Sequence, residues 1–372
     1  MNYTFSRTAA IIDLENAKHN YQLIKNGLSD GTKMFPVIKA DGYGHGASRL
    51  AGLYDRLGAD MFCVACLDEA LSLRNDGITK PILILSPTLA CLAQQLIDNN
   101  IVQTVHSRQY ADMLCENIPQ GKKLKIHIKL DTGMRRIGFT ADEHPEELMN
   151  LPELDVCGIF THYAESDGCD TAFTDLQLSR YNDIIKRFDG VEIMRHTSNS
   201  AASLCMPEAH FDGVRPGIVL YGSYPSLCVK EKFEKCGAAL REVMTFKSRV
   251  TNIFDVKKGE SIGYSRTYFA PRDMTVATVC AGYADGVPRL LSNKGRVCIN
   301  GNMVNITGNV CMDQFMVDIT DIKGINLFDE VIIFGEGGPS CDEVADICGT
   351  ITYEIYCCIN KRVPRIYAGD EI

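Results

Sequence analysis

Lys39 marks the place where a short apolar run gives way to a glycine-rich loop. Residues 34–38 are almost all apolar, and the loop contains Gly42, Gly44 and Gly46. An apolar run bounded by turn residues is typical of a buried strand. Burial at the strand end would lower the pKa of the Lys39 ammonium group and make the amine nucleophilic. A lysine there could simply open a solvated loop, but the glycines would let the backbone approach a ligand, so Lys39 is a candidate Schiff-base lysine.

More polar side chains follow apolar runs of the same kind further along the chain. They are Lys129, Asp131 and Arg136 at the end of the fifth run, His162 at the end of the sixth, Asn199 and Ser200 after the seventh, and Arg215 and Gly217 in the eighth. Taken alone, each has an ordinary interpretation as a core histidine, a solvated charge, or a turn or helix cap. In a parallel barrel, however, the ends of all strands meet at one face, where active sites lie. Their joint position therefore favours one shared site.

Two of these positions could bind a phosphate, because barrels often bind phosphate with the loops that follow strands 7 and 8. Ser200 offers a hydroxyl and a helix N-terminus, and Gly217 and Ile218 offer backbone N–H groups with little steric cover. A phosphate site together with a Schiff-base lysine indicates pyridoxal phosphate as the cofactor. Arg215 cannot accept a proton, so it would keep the pyridine nitrogen of that cofactor unprotonated, whereas a carboxylate would protonate it.

The elements that must position these residues are eight apolar runs with helical patterns between them. The runs are 34–39, 61–65, 82–85, 101–105, 124–130, 156–160, 191–197 and 214–221, and helices are predicted at 13–28, 47–57, 67–75, 89–99 and 174–188. The spacing is that of repeated strand–helix units. Eight such units predict a parallel (β/α)₈ barrel of the TIM type. A doubly wound open sheet is the structural alternative.

The pattern changes near residue 237, where short apolar runs broken by Gly, Asn or Asp predict a mostly antiparallel β domain. The runs are 243–254, 274–279, 296–299, 303–306, 315–318 and 331–334, with short helices predicted at 342–348 and 353–359. The predicted fold class is therefore α/β, with a barrel domain over residues 1–236 and a β domain over residues 237–372.

Composition and net charge indicate which classes of partner are unsuitable and in which compartment the protein is expected. The formal net charge is −9 and no basic run occurs, so nucleic acid and anionic membranes are poor partners. The first ten residues lack the apolar segment of a signal peptide, and a cytoplasmic location is expected. The sixteen cysteines are then expected to be reduced thiols. Cys63 and Cys66 have no second pair at zinc spacing, so we predict core thiols there, and likewise at Cys357 and Cys358, with no metal ion.

Several motifs, in this order, are similar to those of bacterial alanine racemases. They are Val-Ile-Lys-Ala-Asp-Gly-Tyr-Gly-His-Gly at 37–46, Lys-Leu-Asp-Thr-Gly-Met-Arg-Arg-Ile-Gly at 129–138, Asn-Ser-Ala-Ala at 199–202, Val-Arg-Pro-Gly-Ile at 214–218, Gly-Tyr-Ser-Arg-Thr-Tyr at 263–268, Ala-Gly-Tyr-Ala-Asp-Gly at 281–286 and Val-Cys-Met-Asp at 310–313. The chain resembles this family over essentially its full length. The resemblance implies a pyridoxal-phosphate enzyme that supplies D-alanine for peptidoglycan. It also implies a head-to-tail homodimer, and about ten N-terminal residues that join the β domain.

The resemblance also implies a role for individual residues. Lys39 would carry the cofactor and act as one base, and Tyr264 of the partner subunit would be the base on the opposite face. Racemisation needs two such groups, because one face loses the α-proton and the other face receives one. His162 would link Arg215 to Tyr264 in a hydrogen-bonded relay, and the cationic Arg215 would favour the phenolate of Tyr264.

The remaining assignments carried by the motifs concern binding. Besides Lys39 and Arg215, the residues that would hold the cofactor are Tyr43, Asn199, Ser200, Gly217, Ile218 and Tyr353. The residues that would bind the substrate are Arg136, Met312, Tyr283 and Asp313. Lys129 matches a lysine that is often carbamylated in this family and that orients the arginine. Tyr283 and Tyr353 would narrow the entrance and favour a small substrate side chain.

Three alternatives remain beside alanine racemisation. A serine or broad-specificity racemase would use the same chemistry, although the presence of Tyr353 favours alanine. A non-catalytic pyridoxal-phosphate-binding protein would be a single barrel, and the second domain argues against it. A fold-related decarboxylase would pair the pyridine nitrogen with a carboxylate rather than with Arg215.

Overall fold

A computed structural model describes residues 5–369, and its contacts divide the chain into a barrel unit and a β unit. The β unit contains the described residues up to Ala17, the short segment Tyr43–Gly46, and the described residues from Arg241 onward. The barrel unit contains Lys18–Gly42 and Ala47–Leu240. Of the ten N-terminal residues that the resemblance assigns to the β domain, residues 1–4 lie outside the described part of the chain.

The barrel unit is built on eight parallel strands. They are β2 (Lys33–Met34), β3 (Phe62–Val64), β4 (Ile82–Ile84), β5 (Ile101–Val105), β6 (Leu124–Lys129), β7 (Leu154–Phe160), β8 (Met194–His196) and β9 (Gly213–Val214), and β1 (Ala9–Asp13) belongs to the β unit. The spatial order is β2-β9-β8-β7-β6-β5-β4-β3, so strands that are neighbours in sequence are also neighbours in space. All five residues of β5 are buried, as expected for a strand covered on both faces.

The sheet closes on itself just after β2. Val37 pairs with Cys63 of β3 in a parallel bridge. The Ile38 N–H donates to the Cys63 carbonyl and the Cys63 N–H donates to the Pro36 carbonyl, each at 2.9 Å. This closure confirms the predicted (β/α)₈ barrel and excludes the doubly wound open sheet, in which the strand order would reverse at the centre.

The eighth apolar run is not one long strand. Regular pairing ends at Val214, and Ile218–Tyr221 forms a 3₁₀ helix. Pro216 explains the difference, because proline has no N–H for the strand ladder and its ring fixes φ. Arg215 therefore lies just beyond the strand, at the face where the other strands end, and not within it.

The β unit contains a second, mostly antiparallel sheet, as predicted. Its strands are β1, β10 (Met244–Val256), β13 (Met274–Val279), β14 (Arg296–Ile299), β15 (Asn302–Thr307), β16 (Phe315–Asp318), β17 (Glu330–Phe334) and β18 (Arg365–Ala368), and a separate ribbon is formed by β11 (Ser261–Ile262) and β12 (Tyr268–Phe269). The order is β13-β16-β15-β14-β17-β10-β1-β18, and β10 also pairs with β13. The long strand β10 can do this because it shifts register near Val250, so that it pairs with β17 on one side of that point and with β13 on the other.

Helices fill the connections of both units. The α-helices are Leu14–Asn26, Ala47–Arg56, Leu67–Asn75, Ala93–Asp98, Arg108–Cys115, Ala172–Ile185, Ser200–Cys205, Leu227–Glu234, Cys341–Cys348 and Thr352–Cys357. The helices Arg108–Cys115 and Leu227–Glu234 are capped by Ser107 and Ser226. Each serine hydroxyl accepts a backbone N–H of the first turn, a donor that has no acceptor within the helix. Among residues 5–369, no helix has both the length and the apolar character needed to cross a membrane.

Two predictions about cysteines are wrong. Cys169 and Cys228 form a disulfide with their Cα atoms 5.6 Å apart, so this pair is not reduced. The Ser226 hydroxyl donates to the Asp167 carbonyl, which brings the start of the helix Leu227–Glu234 against the loop that contains Cys169. The two cysteines are 59 residues apart in sequence, so their spacing gave no indication of this contact.

The exposure of other cysteines also differs from the prediction. Cys63 is buried as expected, but Cys66, Cys357 and Cys358 are exposed. The last helix buries Ile355 and Tyr356, and the 3.6-residue period then turns the two following cysteines toward solvent.

Candidate active site

Lys39 is half-buried two residues after the Val37 bridge that closes the barrel, where the chain enters an abrupt left-handed turn. Ala40, Asp41, Gly42 and Tyr43 have φ values of 52°, 54°, 60° and 52°. Left-handed backbone costs a residue with a side chain roughly 1–2 kcal/mol. Four successive left-handed residues, three of them non-glycine, therefore indicate a strained segment.

Local hydrogen bonds hold this turn in place. The Ala40 N–H donates to the Glu69 carboxylate at 2.7 Å, and the Asp41 carboxylate accepts the Ala47 N–H at 2.9 Å. The Gly42 N–H donates to the Ile38 carbonyl at 2.9 Å. Strain that the surroundings maintain in this way is characteristic of functional sites.

Arg215 is buried and holds a rigid positive charge at the ends of three strands. Its Nη2 donates to the carbonyls of Thr161 at 2.7 Å and Thr197 at 2.8 Å, and its Nη1 donates to Nδ1 of His196 at 2.5 Å. Three of the five guanidinium N–H groups are thus used, and the Nε–H and one Nη1–H remain for a ligand. Burial lowers the pKa of Arg215 to about 10, so the side chain is still cationic at neutral pH.

His196 was not identified from the sequence. It lies in β8 among the polar residues Arg195 and Thr197, and nothing in that spacing distinguishes a histidine that faces the barrel interior from one that faces outward. His162, which the sequence did single out, is half-buried directly after β7. Its imidazole makes no hydrogen bond within the described residues, and the bonds of the Arg215 guanidinium go to other groups.

Four basic side chains act electrostatically on His162. Burial, followed by the positive charges of Arg215, Lys129, Arg136 and Lys39, lowers the pKa of His162 well below 6.5. The imidazole is therefore neutral at physiological pH. Since all four charges act on one ring, the side chains predicted at different strand ends lie within electrostatic reach of one point.

Lys129 is buried at the end of β6. Its Nζ donates to the Leu130 carbonyl at 2.7 Å and lies 5.3 Å from the centre of the Phe160 ring. Burial and the repulsion of Arg215 lower the pKa of Lys129 to about 7, so much of this lysine is a neutral amine near physiological pH.

Arg136 lies in an exposed loop that begins with Asp131. One carboxylate oxygen of Asp131 accepts the N–H groups of Gly133 at 2.9 Å and Arg135 at 3.1 Å. Within the described part of the chain, the Arg136 guanidinium has no hydrogen-bond or ion-pair partner. It is therefore available to bind an anion.

The loops after β8 and β9 are joined at Ser200. The Gly217 N–H donates to the Ser200 hydroxyl oxygen at 2.8 Å, which leaves the hydroxyl hydrogen free to donate elsewhere. Asn199 caps the helix Ser200–Cys205 by accepting the Ala202 N–H at 3.1 Å. Ile218 opens the 3₁₀ helix Ile218–Tyr221, and the first N–H groups of a helix have no acceptor within it. A hydroxyl and backbone N–H groups of this kind suit a phosphate.

The other candidate residues belong to the β unit. Tyr264 is 72% exposed on a strained turn in which Gly263, Ser265 and Arg266 have φ values of 73°, 60° and 49°. Asn309 holds this turn by donating from Nδ2 to the Tyr264 carbonyl at 2.8 Å. Tyr264 also lines a cavity of about 460 Å³.

Tyr283 and Met312 are exposed on two segments that lie against each other. The Tyr283 N–H donates to the Cys311 carbonyl and the Ala284 N–H donates to the Met312 carbonyl, each at 3.0 Å. A Cβ at Gly282 would lie 2.3 Å from the Met312 carbonyl oxygen, so only glycine permits this approach. The Met312 N–H has no acceptor among the described residues and can bind a carboxylate.

Asp313 and two further tyrosines complete the set. Asp313 accepts from Arg362 at 2.7 Å, and the buried Asp285 accepts from the same arginine at 2.8 Å. The rings of Tyr43 and Tyr353 have their centres 5.9 Å apart, tilted by 56°. Tyr43 is buried and Tyr353 is half-buried.

The chain matches known proteins along both units. Residues 12–225 match the family model described as alanine racemase, N-terminal domain, and residues 243–367 match alanine racemase, C-terminal domain. The protein named alanine racemase 2 of Caldanaerobacter subterraneus subsp. tengcongensis is 41% identical over 371 residues, which cover 97% of this chain and 94% of that protein. Alanine racemase 1 of Clostridium acetobutylicum is 42% identical over 370 residues, covering 96% and 94%.

Solved structures give the same result for the fold. Alanine racemase of Clostridium difficile 630 superposes with a TM-score of 0.93 at 39% identity, covering 98% of this chain and 97% of that chain. Alanine racemase from Bacillus anthracis with bound L-Ala-P superposes with a TM-score of 0.91 at 33% identity, covering 99% and 97%. Both domains and nearly the whole length are shared with these proteins, and the chain therefore belongs to the alanine racemase family.

Proposed function

We propose that this protein interconverts L-alanine and D-alanine with pyridoxal phosphate as its cofactor, and that it supplies D-alanine for peptidoglycan. The observation that carries the proposal is the group of basic side chains that act on His162. Lys39, two residues after the Val37 bridge, and the buried Arg215, which has no carboxylate among its described partners, both act on this ring. The names of the relatives support alanine as the substrate.

The residues of the barrel unit fit this cofactor. When bound, pyridoxal phosphate supplies an electron sink for the negative charge that forms when the α-proton of an amino acid leaves. Lys39 holds the cofactor covalently through its amine. Ser200 and Ile218 bind the phosphate with a hydroxyl and a backbone N–H group. Gly217 and Asn199 hold Ser200 in place, because the Gly217 N–H donates to the Ser200 hydroxyl oxygen and Asn199 caps the helix that begins at Ser200. Tyr43 and Tyr353 are assigned to the cofactor by their motifs.

Arg215 sets the electrostatic character of the site. It donates one of its remaining N–H groups to the pyridine nitrogen, and because a guanidinium does not release a proton near neutral pH, that nitrogen stays unprotonated. A weaker electron sink suits racemisation, in which the proton must return to the same carbon atom. The lack of a carboxylate among the described partners of Arg215 supports this role.

Two groups on opposite faces move the α-proton. In one direction the phenolate of Tyr264 of the partner subunit removes it and the Lys39 ammonium returns a proton, and in the other direction the roles are exchanged. His162 links the phenol to Arg215, and its neutral imidazole can accept one hydrogen bond and donate another. The exposure of Tyr264 on a strained turn supports a contribution to a second subunit in a head-to-tail homodimer.

The substrate carboxylate is bound by Arg136 and by the Met312 N–H. Lys129, as a carbamate, orients the Arg136 guanidinium. Tyr283, Asp313 and Tyr353 limit the space for the substrate side chain and favour alanine over larger amino acids.

The chemistry is tested by α-proton exchange in D₂O with a panel of L- and D-amino acids. We expect exchange and racemisation with alanine and much slower exchange with larger side chains. Comparable rates with serine would point to a broad-specificity racemase. No exchange with any amino acid after reconstitution with excess cofactor would refute the proposal.

The role of Lys39 is tested by absorbance. The wild type should be yellow, and Lys39→Ala should lose the visible band of the lysine-bound cofactor. Lys186→Ala is the matched control, because Lys186 is an exposed lysine paired with Asp183. Retention of the band in Lys39→Ala would assign the attachment to another residue.

The partner-chain role of Tyr264 is tested by mixing two inactive variants. In a heterodimer of Lys39→Ala and Tyr264→Phe subunits, one of the two sites has both groups intact. Random reassociation should therefore restore about a quarter of the wild-type activity, whereas a site built within one chain would restore none. Tyr268→Phe, on the adjacent strand β12, is the control and should keep its activity.

A further inference from the structure

Behind Arg215, two histidines continue a chain of hydrogen bonds into the barrel interior. His196 accepts from the Arg215 guanidinium at Nδ1 at 2.5 Å, and its Nε2 lies 2.8 Å from Nδ1 of His127. Both histidines are fully buried. The function proposed above leaves this pair without a role, and no motif singled it out.

The hydrogen bonds determine which ring nitrogens carry hydrogen. A guanidinium can only donate, so Nδ1 of His196 must be the acceptor and Nε2 must carry the hydrogen. That hydrogen then points to Nδ1 of His127, which is also an acceptor, and the hydrogen of His127 lies on Nε2. Burial and the positive charge of Arg215 lower the pKa of both rings, that of His127 to about 3. Both are therefore neutral at physiological pH.

The surrounding residues are shaped to hold the two rings. A Cβ at Gly158 would lie 2.5 Å from Nε2 of His127, so the missing side chain at this position of β7 makes room for the ring. His196 stacks on Phe160 with ring centres 4.8 Å apart and an angle of 7° between the planes. Phe35 meets the same ring edge-on at 5.5 Å. Neither imidazole can rotate without moving these neighbours.

We propose that His196, held in turn by His127, is a positioning residue for Arg215, an inference that rests on the proposed function. The chain fixes the direction of the guanidinium. It also supplies an acceptor that carries no charge, so the whole positive charge of Arg215 acts on the group it faces. A carboxylate at the position of His196 would give a stronger hydrogen bond but would offset that charge.

The tautomers and the mobility of Arg215 are measured by ¹⁵N NMR on the dimeric holoenzyme with labelled histidine and arginine. In the wild type we expect Nε2–H tautomers for both rings, no titration of either ring between about pH 6 and 8, and separate resonances for the Arg215 Nη atoms. In His196→Leu the Nη resonances should merge, because the guanidinium can rotate. In His196→Asn they should stay separate, because the amide oxygen replaces Nδ1 as the acceptor.

Kinetics on the same variants tests the consequence for the reaction. We expect His196→Leu to lower kcat about tenfold or more with little change in the alanine KM, and His196→Asn to restore most of the loss. His210→Asn is the control, since His210 is a buried histidine outside the chain and should leave both constants unchanged. Circular dichroism and cofactor absorbance on each variant separate these effects from misfolding.

The two proposals fail in different ways. A wild type that shows the expected tautomers but does not racemise alanine would refute the proposed function. A wild type that racemises alanine would overturn the positioning role if its rings had Nδ1–H tautomers, or if His196→Leu kept both its kcat and its separate Nη resonances.

Discussion

Lys129 should react with carbon dioxide at its side-chain amine. An ordinary lysine with a pKa near 10.5 is only about 0.3% neutral at pH 8, whereas a pKa of about 7 makes Lys129 about 90% neutral. The reactive form is therefore about 300-fold more abundant. The neutral amine attacks the carbon of carbon dioxide, a C–N bond forms as one C=O π bond opens, the nitrogen releases one proton, and the neutral amine becomes a carbamate anion. The nearby Arg136, which the ammonium form repels, is then attracted to it.

The same shift makes a prediction about stability. The pKa of Lys129 is lower in the folded state than in the unfolded chain, so between about pH 7 and 10.5 the unfolded chain binds the extra proton. Stability must then rise with pH across this window, and it is lost as pH falls toward 7. Across the whole window, the free energy of unfolding should rise by about 5 kcal/mol. Formation of the carbamate removes this contribution of Lys129 to the pH dependence of stability, because the modified side chain no longer has to lose a proton in order to be buried.

The assay is ¹³C NMR of the holoenzyme in ¹³C-bicarbonate at about pH 8. We expect a carbamate resonance in the wild type that disappears in Lys129→Met and persists in Lys186→Met, which removes an exposed lysine instead. Urea unfolding without bicarbonate should show the rise in stability with pH in the wild type and not in Lys129→Met. A resonance that survives Lys129→Met, or equal pH dependence in both proteins, would refute the reasoning.

Three other predictions concern single positions. His127 has a pKa of about 3, below its value in the unfolded chain, so its contribution to stability is present above about pH 6.5 and is lost as pH falls toward 3. In urea unfolding, lowering the pH from about 7.5 to 5 should reduce the free energy of unfolding of His127→Asn by about 2 kcal/mol less than that of the wild type. Equal reductions in both proteins would contradict this. Gly282→Ala would force a Cβ against the Met312 carbonyl. It should lower the free energy of unfolding by about 1–3 kcal/mol and raise the alanine KM. A rise in KM without any loss of thermal stability would show that the close approach is not required. Cys169→Ser should lower the unfolding free energy by about 2–4 kcal/mol under oxidising conditions and by nothing with reductant, and a difference that persists in reductant would mean that the disulfide is not its cause.

The spacing of the apolar runs was enough to predict the barrel and the polar residues at the ends of its strands. Apolar runs at the spacing of strand–helix units leave few ways to bury every strand, and parallel strands must end at the same face. Lys39 and Ser200 could therefore be assigned to one face of a barrel before any contact was known. The change near residue 237 to short apolar runs broken by Gly, Asn or Asp likewise predicted an antiparallel domain.

Contacts between side chains of different strands could not be predicted from the sequence pattern. His196 and Arg215 are adjacent because β8 and β9 pair, and His127 reaches them because Gly158 leaves room. The same holds for the disulfide between Cys169 and Cys228, which joins a loop that follows β7 to a helix that follows β9. Sequence periods report which side of its own strand a residue occupies. They do not report which side chain stands opposite it, because that depends on strand pairing and on the shapes of distant neighbours.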